Sequence, residues 1–212
     1  MAGRQQSGFT LIECLIVMAM IGLLLALIVP GVSSALERSR VTAVHHDLRQ
    51  VEAALNLYYA EQRHYPPVRV SCNTTEQSHW CQLPPELVEA GLLPPGEKPG
   101  MYAALEDPFN PGHAYKYVAP GPYYMNNERQ RHGFAVYVPA DFPSNRADAG
   151  AYHDSADSPL AWVVWSLGPR QDRSKALHAR APMSADTWYE RTGDHGVIAR
   201  FQHRFGGSRP TP

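Results

Sequence analysis

The run GFTLIECLIV occupies residues 8–17, and the fold turns on how its single charge, Glu13, is read. From Phe9 to Val29 no other residue carries a formal charge. At about 1.5 Å of rise per helical residue this stretch extends roughly 31 Å, the thickness of a bilayer's hydrocarbon core. A carboxylate inside such a segment is costly, so it needs a partner or a task. The preceding MAGRQQSG is short and polar, with one basic residue, Arg4. An ordinary secretory signal places its apolar stretch before the cleavage point and keeps it short. Here the order is inverted: the apolar run follows the candidate processing point, Gly8/Phe9, and is too long for an ordinary signal core.

GFTLIE, from Gly8 to Glu13, followed by an apolar helix and Pro30, resembles the class III leader and N-terminal helix of type IV pilins and of the pseudopilins of type II secretion. The resemblance implies cleavage after Gly8 by a membrane-embedded prepilin peptidase and N-methylation of the new terminus, Phe9. Glu13 then becomes the fifth mature residue and an assembly residue. The new α-amino group lies within one helical turn of the carboxylate, at a helix end that favours negative charge. In the resembled family the amine belongs to a neighbouring subunit, so a charge costly in lipid is compensated on assembly.

The same resemblance implies the partners and the place. These are further copies and other pseudopilins in a filament, the prepilin peptidase, the inner-membrane secretion assembly platform and membrane lipid. The chain is expected to be a single-pass inner-membrane protein with its globular part in the periplasm, before it enters the filament. Charge counting does not fix the orientation, because Arg4 stands on one side of the span and Arg38 and Arg40 on the other.

The chain has 212 residues and a formal net charge of -1, which suits one membrane segment plus one globular domain and shows no basic excess for nucleic acid. Beyond Pro30, Val41, Val44, Leu48, Val51, Leu55 and Tyr58 recur at helical spacing, with Arg40, Asp47, Arg49 and Glu52 between them. That stripe predicts an amphipathic continuation of the helix whose apolar face packs on the protein's own sheet. Pro30 and Gly31 are expected to loosen the helix where it leaves the membrane. RHYPP, residues 63–67, ends it, since a residue before proline is driven out of helical geometry.

PPELVEAGLLPPG predicts a short helix between Pro85 and Gly91. Residues 114–119, 133–139, 160–167 and 196–205 read as strands, rich in aromatic and β-branched side chains and separated by Pro, Gly, Asn and Asp. The expected class is α+β, a long N-terminal helix on a small antiparallel sheet, which the resemblance makes pilin-like. The expected organisation is a leader at 1–8, a membrane helix at 9–29, its amphipathic continuation at 30–63 and an extracytoplasmic β-rich domain at 64–212.

Two later segments extend the resemblance. EDPFNPGHAYKYV, from Glu106 to Val118, is similar to the Asp-Pro-aromatic-Asn turn before a Tyr-x-Tyr strand in the major pseudopilin. WSLGPRQD is similar to that protein's Ser-x-Gly loop near a calcium site, which makes Ser166, Asp172 and Asp107 candidate calcium ligands. The loop departs from the pattern, because Arg170 and Arg173 flank Asp172 and two cations oppose a hard divalent ion.

Of the three cysteines, Cys14 lies in the apolar helix as a small hydrophobe. Cys72 and Cys81 bound the polar segment CNTTEQSHWC and, in an oxidising compartment, are expected to form a disulfide. A metal site using His79 as a third ligand is the competing reading, without a second ligand pair to support it. Ten histidines are scattered without an HExxH, GxSxG or phosphate-loop motif, so no catalytic residue is assigned. TWYERTGDHGVIARF is read as strand, turn and strand rather than a site. The expectation is a filament subunit acting mechanically in export, with no chemistry of its own. The rival is a membrane-anchored periplasmic enzyme or ligand-binding domain on an uncleaved anchor.

Overall fold

The structure is a computed structural model that describes residues 10–71, 80–144, 146–170 and 185–212. A single helix, α1, runs Leu11–Gln62 and carries Pro30 inside it. It contributes to two compact units, one up to Ser39 and one from Arg40 onward.

In the first unit every large apolar side chain from Leu11 to Val32 is exposed. This is the one helix among the described residues long and apolar enough to cross a membrane. The two serines that follow Pro30 stay satisfied within the helix. Ser33 Oγ and Ser34 Oγ both donate to the Pro30 carbonyl at 3.0 Å. Helical assignment is unbroken through Pro30.

The second unit begins with the predicted stripe. Val44, Leu48, Val51, Leu55 and Tyr58 are buried, joined by Ala54, and Val41 is partly buried. Burying each large side chain of this kind contributes about 1.5–3 kcal/mol. The helix ends one residue before the expected position. Arg63 takes a left-handed φ of 63° and donates its N–H to Tyr59 O at 2.9 Å.

The stripe packs into one core with the strands. β1 (Val68–Val70) pairs in parallel with β3 (Tyr123–Met125), which pairs with β4 (Glu128–Arg129). The main sheet is antiparallel throughout, in the order β2 (Lys116–Val118), β7 (Leu160–Ser166), β8 (Ile198–His203), β9 (Ser208–Pro210). β5 (Val136–Pro139) and β6 (Ala149–Tyr152) form a separate hairpin, and α2 (Glu86–Glu89) is the short helix after the double proline. Leu160, Trp162, Val164, Trp165, Tyr117 and Ile198 are completely buried. The α+β class is as expected: one long helix, then an antiparallel sheet whose inner face meets the helix stripe in a common core.

Two polar ties fix the helix against the sheet. Arg200 Nε on β8 donates to Glu52 Oε2 at 2.5 Å, and Ser208 Oγ on β9 donates to the other oxygen of the same carboxylate. The Tyr115 hydroxyl donates to Asp47 Oδ2 at 2.8 Å. Asp47 and Glu52 thus sit beside the apolar stripe, reaching over its rim to the sheet.

The segment TWYERTGDHGVIARF is not a hairpin. Trp188 and Val197 form a parallel bridge, with Val197 N donating to Thr187 O at 2.8 Å and Tyr189 N to Val197 O at 2.9 Å. The chain therefore makes a loop that closes on its own base. Gly196 makes this closure possible. A Cβ there would lie 2.5 Å from Trp188 C, and its φ is 156°. Gly168, just beyond β7, faces it: a Cβ on Gly168 would lie 1.7 Å from the Gly196 carbonyl oxygen. The two backbones meet where side chains are excluded.

Candidate functional site

The first residues to be placed are those at the start of α1. Gly8 and Phe9, the expected cleavage and methylation positions, lie outside the described residues. Glu13 lies within them, with hydrogen-bond partners on its own first turn. Thr10 N donates to Glu13 Oε2 at 2.9 Å and Thr10 Oγ1 to the same oxygen at 2.8 Å. In return Glu13 N donates to Thr10 Oγ1 at 3.4 Å. This is a capping box, in which a threonine before the first turn and a glutamate three residues later satisfy each other's exposed amides. Its sequence signal, T-x-x-E at 10–13, lies inside the GFTLIE motif. Both bonds that Glu13 accepts use Oε2, so Oε1 has no hydrogen bond among the described residues.

The second group lies at the end of β7. Asp107 is 1% exposed, and its carboxylate collects three donors. Oδ1 accepts from Ser166 Oγ at 2.7 Å and from Phe109 N at 2.9 Å, and Oδ2 accepts from Leu167 N at 2.8 Å. Ser166 Oγ in turn accepts from Gly168 N at 3.1 Å. Burial pushes the Asp107 carboxyl above the ordinary carboxylate range, while the Ser166 hydroxyl, the two backbone donors and the nearby Lys116 pull it back. The structure thus brings together two of the three candidate calcium ligands, Asp107 and Ser166. It does so as partners of each other. Calcium takes about six to eight oxygen ligands from water or protein, and the Asp107 oxygens already serve three protein donors. The described donors form a bracket between the turn 106–110 and β7. Asp172 lies outside the described residues, and no cluster of three His, Cys, Asp or Glu side chains able to hold a metal is found among those described.

The third group surrounds Cys81. Its backbone adopts a left-handed φ of 53°, donates to Arg69 O at 3.0 Å and accepts from Tyr117 N at 2.6 Å, so the residue links β1 to β2. Cys72, its expected disulfide partner, and His79, the residue of the competing metal reading, lie outside the described residues. Lys116, 1% exposed, donates its ammonium to Trp80 O at 2.5 Å. Burial lowers the Lys116 pKa to about 8, with Cys81 and Asp107 pulling it back upward.

The family described as the prokaryotic N-terminal methylation motif matches residues 3–29. The type II secretion system core protein G of Pseudomonas aeruginosa is 34% identical over 128 residues, covering 57% of this chain and 79% of that protein. The core protein G of Escherichia coli is 34% identical over 125 residues, covering 57% of this chain and 77% of the relative. That of Dickeya chrysanthemi is 28% identical over a longer span of 158 residues, 71% of this chain and 88% of its own length. No solved structure matches the chain.

Proposed function

Because the chain belongs to the family of the type II secretion system core protein G, we propose that it is a structural subunit of a secretion pseudopilus, acting mechanically in protein export. The observation that carries this reading is the N-terminal arrangement: a match to the methylation motif over residues 3–29, then an exposed apolar helix with one carboxylate at its start. A helix apolar on all sides suits a lipid bilayer before assembly and a bundle of like helices afterwards.

In this reading prepilin peptidase cuts after Gly8 and Phe9 becomes the methylated amino terminus. The Thr10–Glu13 capping box holds the carboxylate at the helix start and leaves Oε1 for the amine of a neighbouring subunit. The globular unit stands in the periplasm, the helix in the inner membrane, and the inner-membrane assembly platform adds subunits to the filament. No catalytic step is required of the chain.

The test is co-expression of the full chain with an active prepilin peptidase, followed by intact mass measurement of the membrane fraction. The expected species begins at methylated Phe9. A chain that keeps Met1 beside an active peptidase refutes the proposal and favours a periplasmic domain on an uncleaved anchor.

A further inference from the structure

The loop that follows α1 and the end of β8 meet in a cleft enclosing about 410 Å³. Two arginine-histidine pairs line it, Arg63 and His64 from the helix end and His203 and Arg204 from the strand end. No acidic side chain among the described residues does. Among the described residues neither Arg63 nor Arg204 makes an ion pair. The guanidinium of Arg204 lies 4.8 Å from the centroid of the Phe205 ring, and Phe205 is 90% exposed. Asp157 lines the adjoining hollow yet makes no ion pair with Arg204. Two other arginines of the same unit are paired, Arg200 with Glu52 and Arg69 with Glu86.

The remaining wall is aromatic and proline-rich, with Tyr59 and Pro122 among its members. Past His64 and Pro122 the surface continues into a second hollow of about 470 Å³, where Tyr58, Tyr124 and Arg129 add to it. The acid in that second hollow, Glu86, is already engaged by Arg69. Two connected hollows make a groove far too long for a single small ion. Tyrosine and proline surfaces suit the flanks of an extended chain, and a cleft lined by two arginines suits a carboxylate.

Arg63 supplies an independent sign. It occupies the left-handed position that closes α1, where glycine is unstrained and a side chain is not. An arginine at that position puts a guanidinium on the groove at the expense of backbone comfort.

We propose that this groove binds an extended peptide segment carrying an acidic side chain, whose carboxylate is taken by Arg63 and Arg204. His64 and His203 stand beside it as polar neighbours, and the tyrosine and proline wall receives the flanking residues. The assignment is independent of leader processing, because every residue it uses lies in the globular unit.

The full chain in neutral detergent micelles should be panned against a random octapeptide library, and the selected peptide resynthesised with a fluorescent label. The expected result is enrichment of Asp or Glu at one position, about threefold or more over the input. In anisotropy titrations Arg204→Ala and Arg63→Gly should each weaken binding by about tenfold, the scale of losing one charge-assisted hydrogen-bonded pair. Replacing the peptide's acid by its amide should do the same. Arg63→Gly serves also as the control for folding, since it relieves the left-handed strain and should melt no lower than wild type. Selection without acidic enrichment, or unchanged affinity in Arg63→Gly, overturns the proposal. Saturable binding of inorganic phosphate alone, with no acidic peptide selected, overturns the peptide class.

Discussion

Replacing Asp107 by alanine should cost the globular unit about 3–4 kcal/mol. The figure follows from the three donors that converge on the carboxylate, Ser166 Oγ, Phe109 N and Leu167 N. A buried donor stripped of its acceptor costs about 1–3 kcal/mol. The two backbone amides have no rotamer to turn to, and at about 1.5–2 kcal/mol each they account for most of the loss. The Ser166 hydroxyl can rotate and adds about 1 kcal/mol. Removing a buried charge returns part of this, since burial disfavours the ionised form. For a domain of this size 1 kcal/mol moves the melting temperature by about 2–4 °C, so the shift should be roughly 6–16 °C. Near-ultraviolet circular dichroism of the full chain in detergent reads it directly, through the buried Trp162 and Trp165. Asp107→Asn is the sharper comparison. The amide turns one acceptor into a donor facing a donor, so it should recover less than half of the loss although it keeps the shape. A melting shift below about 3 °C for Asp107→Ala would refute the bracket as a structural element.

Glu13→Ala should leave membrane insertion intact, because a costly charge is removed, while subunit crosslinking falls; wild-type crosslinking yield would dismiss the paired-charge role. Cys72 and Cys81 should resist alkylation in unreduced protein from the cell envelope and label after reduction, with peptide mass mapping as the readout; free labelling of both would exclude the disulfide. Lys116 has a folded pKa lowered to about 8, below its unfolded value, so its stabilising contribution is complete above about 10.5 and is lost as pH falls through 8. Wild-type stability should therefore rise between about pH 8 and 10, and Lys116→Met should flatten that rise and add about 1–2 kcal/mol at pH 7 in urea unfolding. A Lys116→Met protein with the same slope as wild type would assign the rise to other groups.

What was legible in the sequence was periodic or contiguous. The stripe from Val41 to Tyr58 declares itself because six apolar residues fall on one helical face, and those positions form the core. β7 is legible as a contiguous run of branched and aromatic residues buried on both faces, and β8 only through Ile198 and Phe201 among polar neighbours. β4, two residues reading Glu-Arg, and β9, reading Ser-Arg-Pro, carry no strand signal of their own. They are strands because β3 and β8 offer them an edge to pair with. The Asp107 bracket could not be read either, since its partners lie 59 and 60 residues away. Sequence likeness does bring Asp107 and Ser166 to one place, as candidate ligands of one calcium ion, without indicating that they bond to each other. The capping box at Thr10 is legible as T-x-x-E, but a lone charge in an apolar run points first to a more distant partner.

The contact of Gly168 with Gly196 has a consequence for how the chain tolerates change. Around it the composition is permissive: loops can exchange polar residues and the exposed helix can exchange one aliphatic residue for another. At these two positions the first side-chain carbon already collides with backbone, so no neighbouring substitution can make room for it. In a saturation library sorted for folded protein, columns 168 and 196 should be almost empty, and double changes should not refill them. Such a seam marks two points in sequence space from which there is no second step.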